Sequence, residues 1–158
     1  MISRISILFL LSLALPAWGQ HVAPPGADPN AAAFAPLPER KDVVSWKTLA
    51  QVEIVKQKDR YVPQFSSSVA ALDSKNVKLQ GFMMPLEMGE KQAHFVLASM
   101  PTTCAFCVPG GPESMVEVKM KTPVKYTFDA LVVTGKLTVL KDDPSGIFYR
   151  ITDAEPAK

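Results

Sequence analysis

The chain is 158 residues long, carries 17 Lys and Arg against 15 Asp and Glu, and contains two cysteines and two histidines. So even a balance excludes recognition of nucleic acid or of an anionic membrane by charge alone, and two cysteines exclude a disulfide-stapled mini-protein. The length suits one domain with a hydrophobic core and argues against a second.

The N-terminus reads MISRISILFLLSLALPAWGQ, with Arg4 as its charge and an apolar stretch from Ile5 to Leu15 broken by two serines. That stretch is shorter than the ~20 apolar residues a membrane helix needs. A basic start, an apolar middle, Pro16 and the small residues Ala17 and Gly19 match a secretory signal peptide. Residues 1–19 are therefore expected to be removed after Gly19, leaving a periplasmic product. No cysteine at the cut marks a lipoprotein, and no later segment is apolar for long enough to be a transmembrane segment. Residues 20–41, rich in Pro and Ala and without periodicity, read as a flexible leader that cannot bury enough apolar surface to offset its ordering entropy.

Order is expected from Asp42, so that residues 42–158 form the domain. In DVVSWKTLAQVEIV the spacing of Val44, Trp46, Leu49, Val52 and Ile54 predicts a short helix led by Ser45 and then a strand. The serines of VPQFSSSVAALDSK can cap a second short helix. VKLQGFMMPLE alternates as a strand, with Val77, Leu79 and Phe82 or its neighbours inward, and Gly81 and Pro85 predict a bulge or bend in it. A turn at Met88–Lys91 leads into the strand AHFVLAS. ESMVEVKM offers Met115, Val116 and Val118 to a core. TFDALVVTGKLTVL reads as a strand interrupted at Gly135, and GIFYRITDA as the last. Five or more short strands with intervening turns predict a mainly β fold, a small antiparallel barrel or sandwich with one or two short helices.

The chemistry concentrates in SMPTTCAFCVPGGPESM. Cys104 and Cys107, two residues apart, can direct both thiolates at one metal ion. Pro101 before them and Pro109-Gly110-Gly111-Pro112 after them predict a loop rather than the helix N-terminus that a thioredoxin-like cysteine uses. Three readings follow. A soft metal, copper(I) or zinc, is held by Cys104 and Cys107 with His94, Glu113 or a methionine completing the shell. Zinc wants four ligands and is under-supplied, whereas copper(I) needs fewer. Alternatively the pair forms a local disulfide in an oxidising compartment, or it exchanges thiols with a partner. His94, in the strand AHFVLAS, reads more readily as a surface or hydrogen-bonded strand histidine than as a ligand, since function needs a convergent site. Phosphate loops, G-x-S-x-G and H-E-x-x-H are all missing from the sequence, so a non-enzymatic binding or accessory module is expected.

The segments VKLQGFMMPLE, HFVLAS, TCAFCVPGGPESMVEV and VVTGKLTVL resemble the DUF3299 family of exported bacterial proteins, over Trp46 to Asp153. Many members show a cysteine followed closely by a histidine and Val-Pro; here Cys107 stands where that histidine falls, which keeps a metal ligand. The resemblance implies an oligonucleotide/oligosaccharide-binding (OB)-like barrel and a role beside periplasmic metal transport, with ABC-type transporter components as partners. The competing expectation is a protein-interaction barrel in which Cys104 and Cys107 form a structural disulfide.

Overall fold

The computed structural model describes residues 37–101 and 110–158. The expected signal peptide, most of the leader, and both Cys104 and Cys107 lie outside the described residues.

Two short helices form where serines cap them. Ser45 precedes α1 (Trp46–Leu49) and its hydroxyl accepts from the Lys47 N–H. Ser66 does the same for α2 (Ser67–Ala70), accepting from the Val69 N–H. Each cap satisfies a backbone donor that a helix of one turn cannot satisfy internally. Between the helices β1 (Val52–Gln57) and β2 (Arg60–Phe65) make an antiparallel hairpin that stands apart as a two-stranded sheet. Sequence alternation anticipated a strand at Val52 but not β2, whose last residues read only as the approach to the serine-capped second helix. Ile54 is exposed, since β1 is paired only with β2.

The remaining strands are β3 (Asn76–Pro85), β4 (Lys91–Ala98), β5 (Met115–Lys125), β6 (Leu131–Val139) and β7 (Tyr149–Ala157), closed into a barrel in the order β3-β4-β5-β7-β6. All neighbours are antiparallel except β5 and β7, which are parallel. Five strands in a closed ring cannot alternate direction all the way round, so one parallel pair is obligatory. The result is the expected OB-like barrel, with mixed rather than purely antiparallel pairing.

The first half of β3 pairs with β6, through Val77↔Gly135 and Leu79↔Val133, and the second half with β4, through Phe82↔Ala98 and Met84↔Val96. The changeover falls at Gly81, where an added Cβ would lie 2.7 Å from both the Ala98 carbonyl oxygen and Leu97 Cγ. Gly135 is similarly confined by β7, 2.6 Å from Ile151 Cγ2 and 2.7 Å from the Thr152 carbonyl oxygen by the same measure. The interruption expected at Gly135 is a shift of register: β6 runs straight through, and its pairing with β7 slips between Thr134 and Lys136.

Leu79, Met83, Phe95, Leu97, Val116, Val118, Val133, Leu137, Tyr149 and Ile151 fill the barrel. They alternate along their strands as period-2 patterning requires. Leu49 of α1 and Val69 of α2 join this core, and Trp46 packs against it with its indole N–H donating to the Gln80 carbonyl at 2.7 Å. Tyr149 is fully buried, and its hydroxyl donates to the Leu49 carbonyl at 2.5 Å, which fastens α1 to the barrel. Burial pushes this phenol well above its ordinary pKa, so it remains a donor.

Candidate functional site

The cysteine loop connects β4 to β5. Its roots are fixed where Ala98 faces Met115, and just beyond them the Ser99 N–H donates to the Ser114 carbonyl at 3.1 Å. The returning arm is a 3-10 turn, Pro112–Ser114, closed by the Ser114 N–H on the Gly111 carbonyl at 2.9 Å. Gly110 has φ +90°, a conformation open to glycine and strained for other residues. The Glu113 carboxylate lies over Gly111, in space that a Cβ there would occupy. Gly110, Gly111 and Pro112 thus form a tightly turned arm, and it brings Glu113 close enough to Tyr149 to contribute to the rise in the phenol's pKa.

His94 sits elsewhere. It lies four residues before Ala98 along β4, about 13 Å at the usual rise of a strand, and alternates with the buried Phe95 and Leu97, so its ring is on the outer wall. There its Nε2 is 2.7 Å from Oε1 of Glu117 on β5. An ionised carboxylate only accepts, so Nε2 carries the proton, and in the neutral ring Nδ1 is left with the lone pair.

Glu117 is the centre of a network that patterning along the strand did not reveal. Its side chain is only 7% exposed although it faces outward, because His94, 34% exposed, and Arg150 of β7 lie across it. Arg150 Nε donates to Oε2 of Glu117, Arg150 Nη2 reaches Asp143 at 3.2 Å, and Lys119 Nζ stands 3.8 Å from Oε1. Burial alone would raise the Glu117 carboxyl, but the hydrogen bonds from Arg150 and His94 outweigh it and hold the group below the usual carboxylate range. The alternation Met115-Val116-Glu117-Val118 marks Glu117 as outward and therefore solvated. Only the pairing of β5 with both β4 and β7, which sets Glu117 directly opposite Arg150, shows that it is covered.

Among the described residues no three His, Cys, Asp or Glu side chains gather closely enough to hold a metal ion. A cleft of about 580 Å³ at the root of the β1–β2 hairpin is lined by neutral side chains with Glu53 as its one carboxylate, which supplies no acid–base pair. Among the described residues no helix is long and apolar enough to cross a membrane.

The sequence profile of a family described as a protein of unknown function, DUF3299, matches residues 19–150. A crystal structure of a DUF3299 family protein from Pseudomonas aeruginosa PAO1 aligns with a TM-score of 0.48 and 23% identity, covering 61% of this chain and 68% of that one. No curated protein matches the chain significantly.

Proposed function

The chain belongs to the DUF3299 family, and from that premise we propose that it is an exported, non-enzymatic module that holds a soft transition metal on the loop between β4 and β5. The observation that carries this reading is the setting of the chain's only two cysteines. Cys104 and Cys107 fall between β4 and β5 in the sequence, outside the described residues, and the described flanks of that segment are fixed against each other by one strand pairing and one backbone hydrogen bond. Anchored ends limit the conformations that two thiolates must give up on closing around one ion.

The donor set fits copper(I) better than zinc. Two thiolates suit a soft monovalent ion of low coordination number, whereas a closed zinc site needs four ligands and the described residues supply no ready cluster. His94 is the remaining nitrogen donor of this reading. A carboxylate accepting one ring N–H is the usual way an imidazole ligand is oriented toward a metal on its other nitrogen, and Glu117 occupies that position. Its distance along β4 from the loop roots makes it an auxiliary ligand at most. Export follows from the signal-like N-terminus, and service to an ABC-type metal transport system follows from the family resemblance.

The test is native mass spectrometry of the reduced exported protein with copper(I) or zinc, run beside the double variant Cys104→Ser, Cys107→Ser and beside His94→Ala. One ion of copper(I) should be retained by the parent and by His94→Ala and lost by the double variant. Uptake no greater than that of the double variant would remove the metal reading and leave a protein-interaction barrel with Cys104 and Cys107 as a structural disulfide.

A further inference from the structure

We propose that the pole of the barrel opposite the cysteine loop is a contact surface for a second copy of this chain. Two loops meet at this pole. The β3–β4 turn exposes Leu86 at 50% and Met88 at 100%, and the β5–β6 connection exposes Phe128 at 81%. These are large apolar side chains held in water. They are also held in place: the Gln92 amide donates to the Gly89 carbonyl at 2.7 Å, the Tyr126 N–H donates to the Glu90 carbonyl at 2.8 Å, and the Phe128 ring meets Tyr126 edge-on at 5.0 Å. Presenting such groups from a constrained frame lowers the entropy lost when they are covered, and a clustered exposed apolar patch is a common mark of an interaction site.

Charge identifies the occupant. Lys91 and Lys125 are directly opposite each other at the base of the pole, an arrangement that is unfavourable for like charges. Glu87, Glu90 and Asp129 stand on the same two loops. Among the described residues none of these five charged groups forms an ion pair, whereas Glu117, Lys119, Lys121, Arg150 and Glu155 on the barrel wall are all paired. Two adjoining loops that carry exposed apolar side chains together with unpaired charges of both signs can match a second copy of themselves. In a two-fold contact the apolar side chains of one protomer meet those of its partner, and the lysines of each face the carboxylates of the other. An anionic bilayer would suit the lysines and be repelled by the three carboxylates.

Sedimentation equilibrium of the full exported protein should show the average mass rising with concentration toward that of a dimer. Met88→Ser with Phe128→Ser should weaken association about tenfold or more while the far-UV circular dichroism spectrum of the barrel is retained, because both side chains are exposed. Two charge variants keep the test independent of that pair. Lys91→Glu with Lys125→Glu, and separately Glu87→Lys with Glu90→Lys, should each self-associate more weakly than the parent, and an equimolar mixture of the two should recover association. A parent that stays monomeric throughout, a mixture that does not recover, or a monomer that binds phosphatidylglycerol vesicles through this patch would each overturn the proposal.

Discussion

Replacing Glu117 by Gln tests whether the network on the outer wall holds β4, β5 and β7 together. The change preserves shape and removes the charge that Arg150 and His94 share. Arg150 keeps Asp143 at 3.2 Å, so one of its two carboxylate partners survives, while His94 loses a charge-assisted bond of 2.7 Å. Hydrogen bonds to charged groups contribute ~1.5–3 kcal/mol each, and breaking a fully buried ion pair costs ~3–5 kcal/mol. Because Arg150 and His94 are partly solvated, we expect a loss of about 2 kcal/mol at pH 7, a fall in Tm of roughly 5–10 °C for a domain of this size. The pH dependence gives the sharper check. The folded-state pKa of Glu117 lies below its unfolded value. Its contribution is therefore complete above the unfolded value, near pH 4–5, and disappears as pH falls through the folded one. Urea titrations of parent and variant at a series of pH values should show the stability gap present at about pH 5 and above and closing in more acidic buffer. A gap that is absent at pH 7, or that persists undiminished at pH 2, would refute the assignment of a charged Glu117 as the centre of the network.

Two further outcomes follow from the packing. Gly135→Ala places a methyl within 2.7 Å of β7 atoms at the register shift, so it should destabilise the barrel by about 2–3 kcal/mol, seen as a lower urea midpoint; an unchanged midpoint would mean that β7 yields there. Tyr149→Phe leaves the Leu49 carbonyl without its buried donor and should lose about 1–2 kcal/mol, with hydrogen exchange in α1 accelerating more than in β5; equal acceleration in both would show that the hydroxyl does not fasten α1.

Much of the fold was legible because strands and short helices are written in local patterns. Ser45 and Ser66 stand where one-turn helices need caps, and Val116 and Val118 alternate with polar residues because one side of β5 faces the core. Gly81 read as a bulge or bend; β3 instead runs through it unbroken, and the glycine is where the strand changes partners and the β4 backbone comes close. Local pattern failed at β2, where Pro63 suppresses a strand signal although proline is tolerated in a ribbon with a free edge.

The residue types and their order determined on their own that the domain is mainly β, a small barrel or sandwich of short strands with one or two short helices, and that its two cysteines fall between the strands that the structure shows as β4 and β5. Those properties depend on neighbours within a few positions along the chain. Tertiary structure decided what depends on neighbours far apart. Glu117 and Arg150 are 33 residues apart, and His94 and Glu117 are 23 apart, yet the parallel closure of β5 on β7 and the pairing of β4 with β5 place all three in one network. Alternation tells which side of a strand a residue faces. Whether that side is wet is settled by the strands that lie next to it, and for Glu117 they cover it.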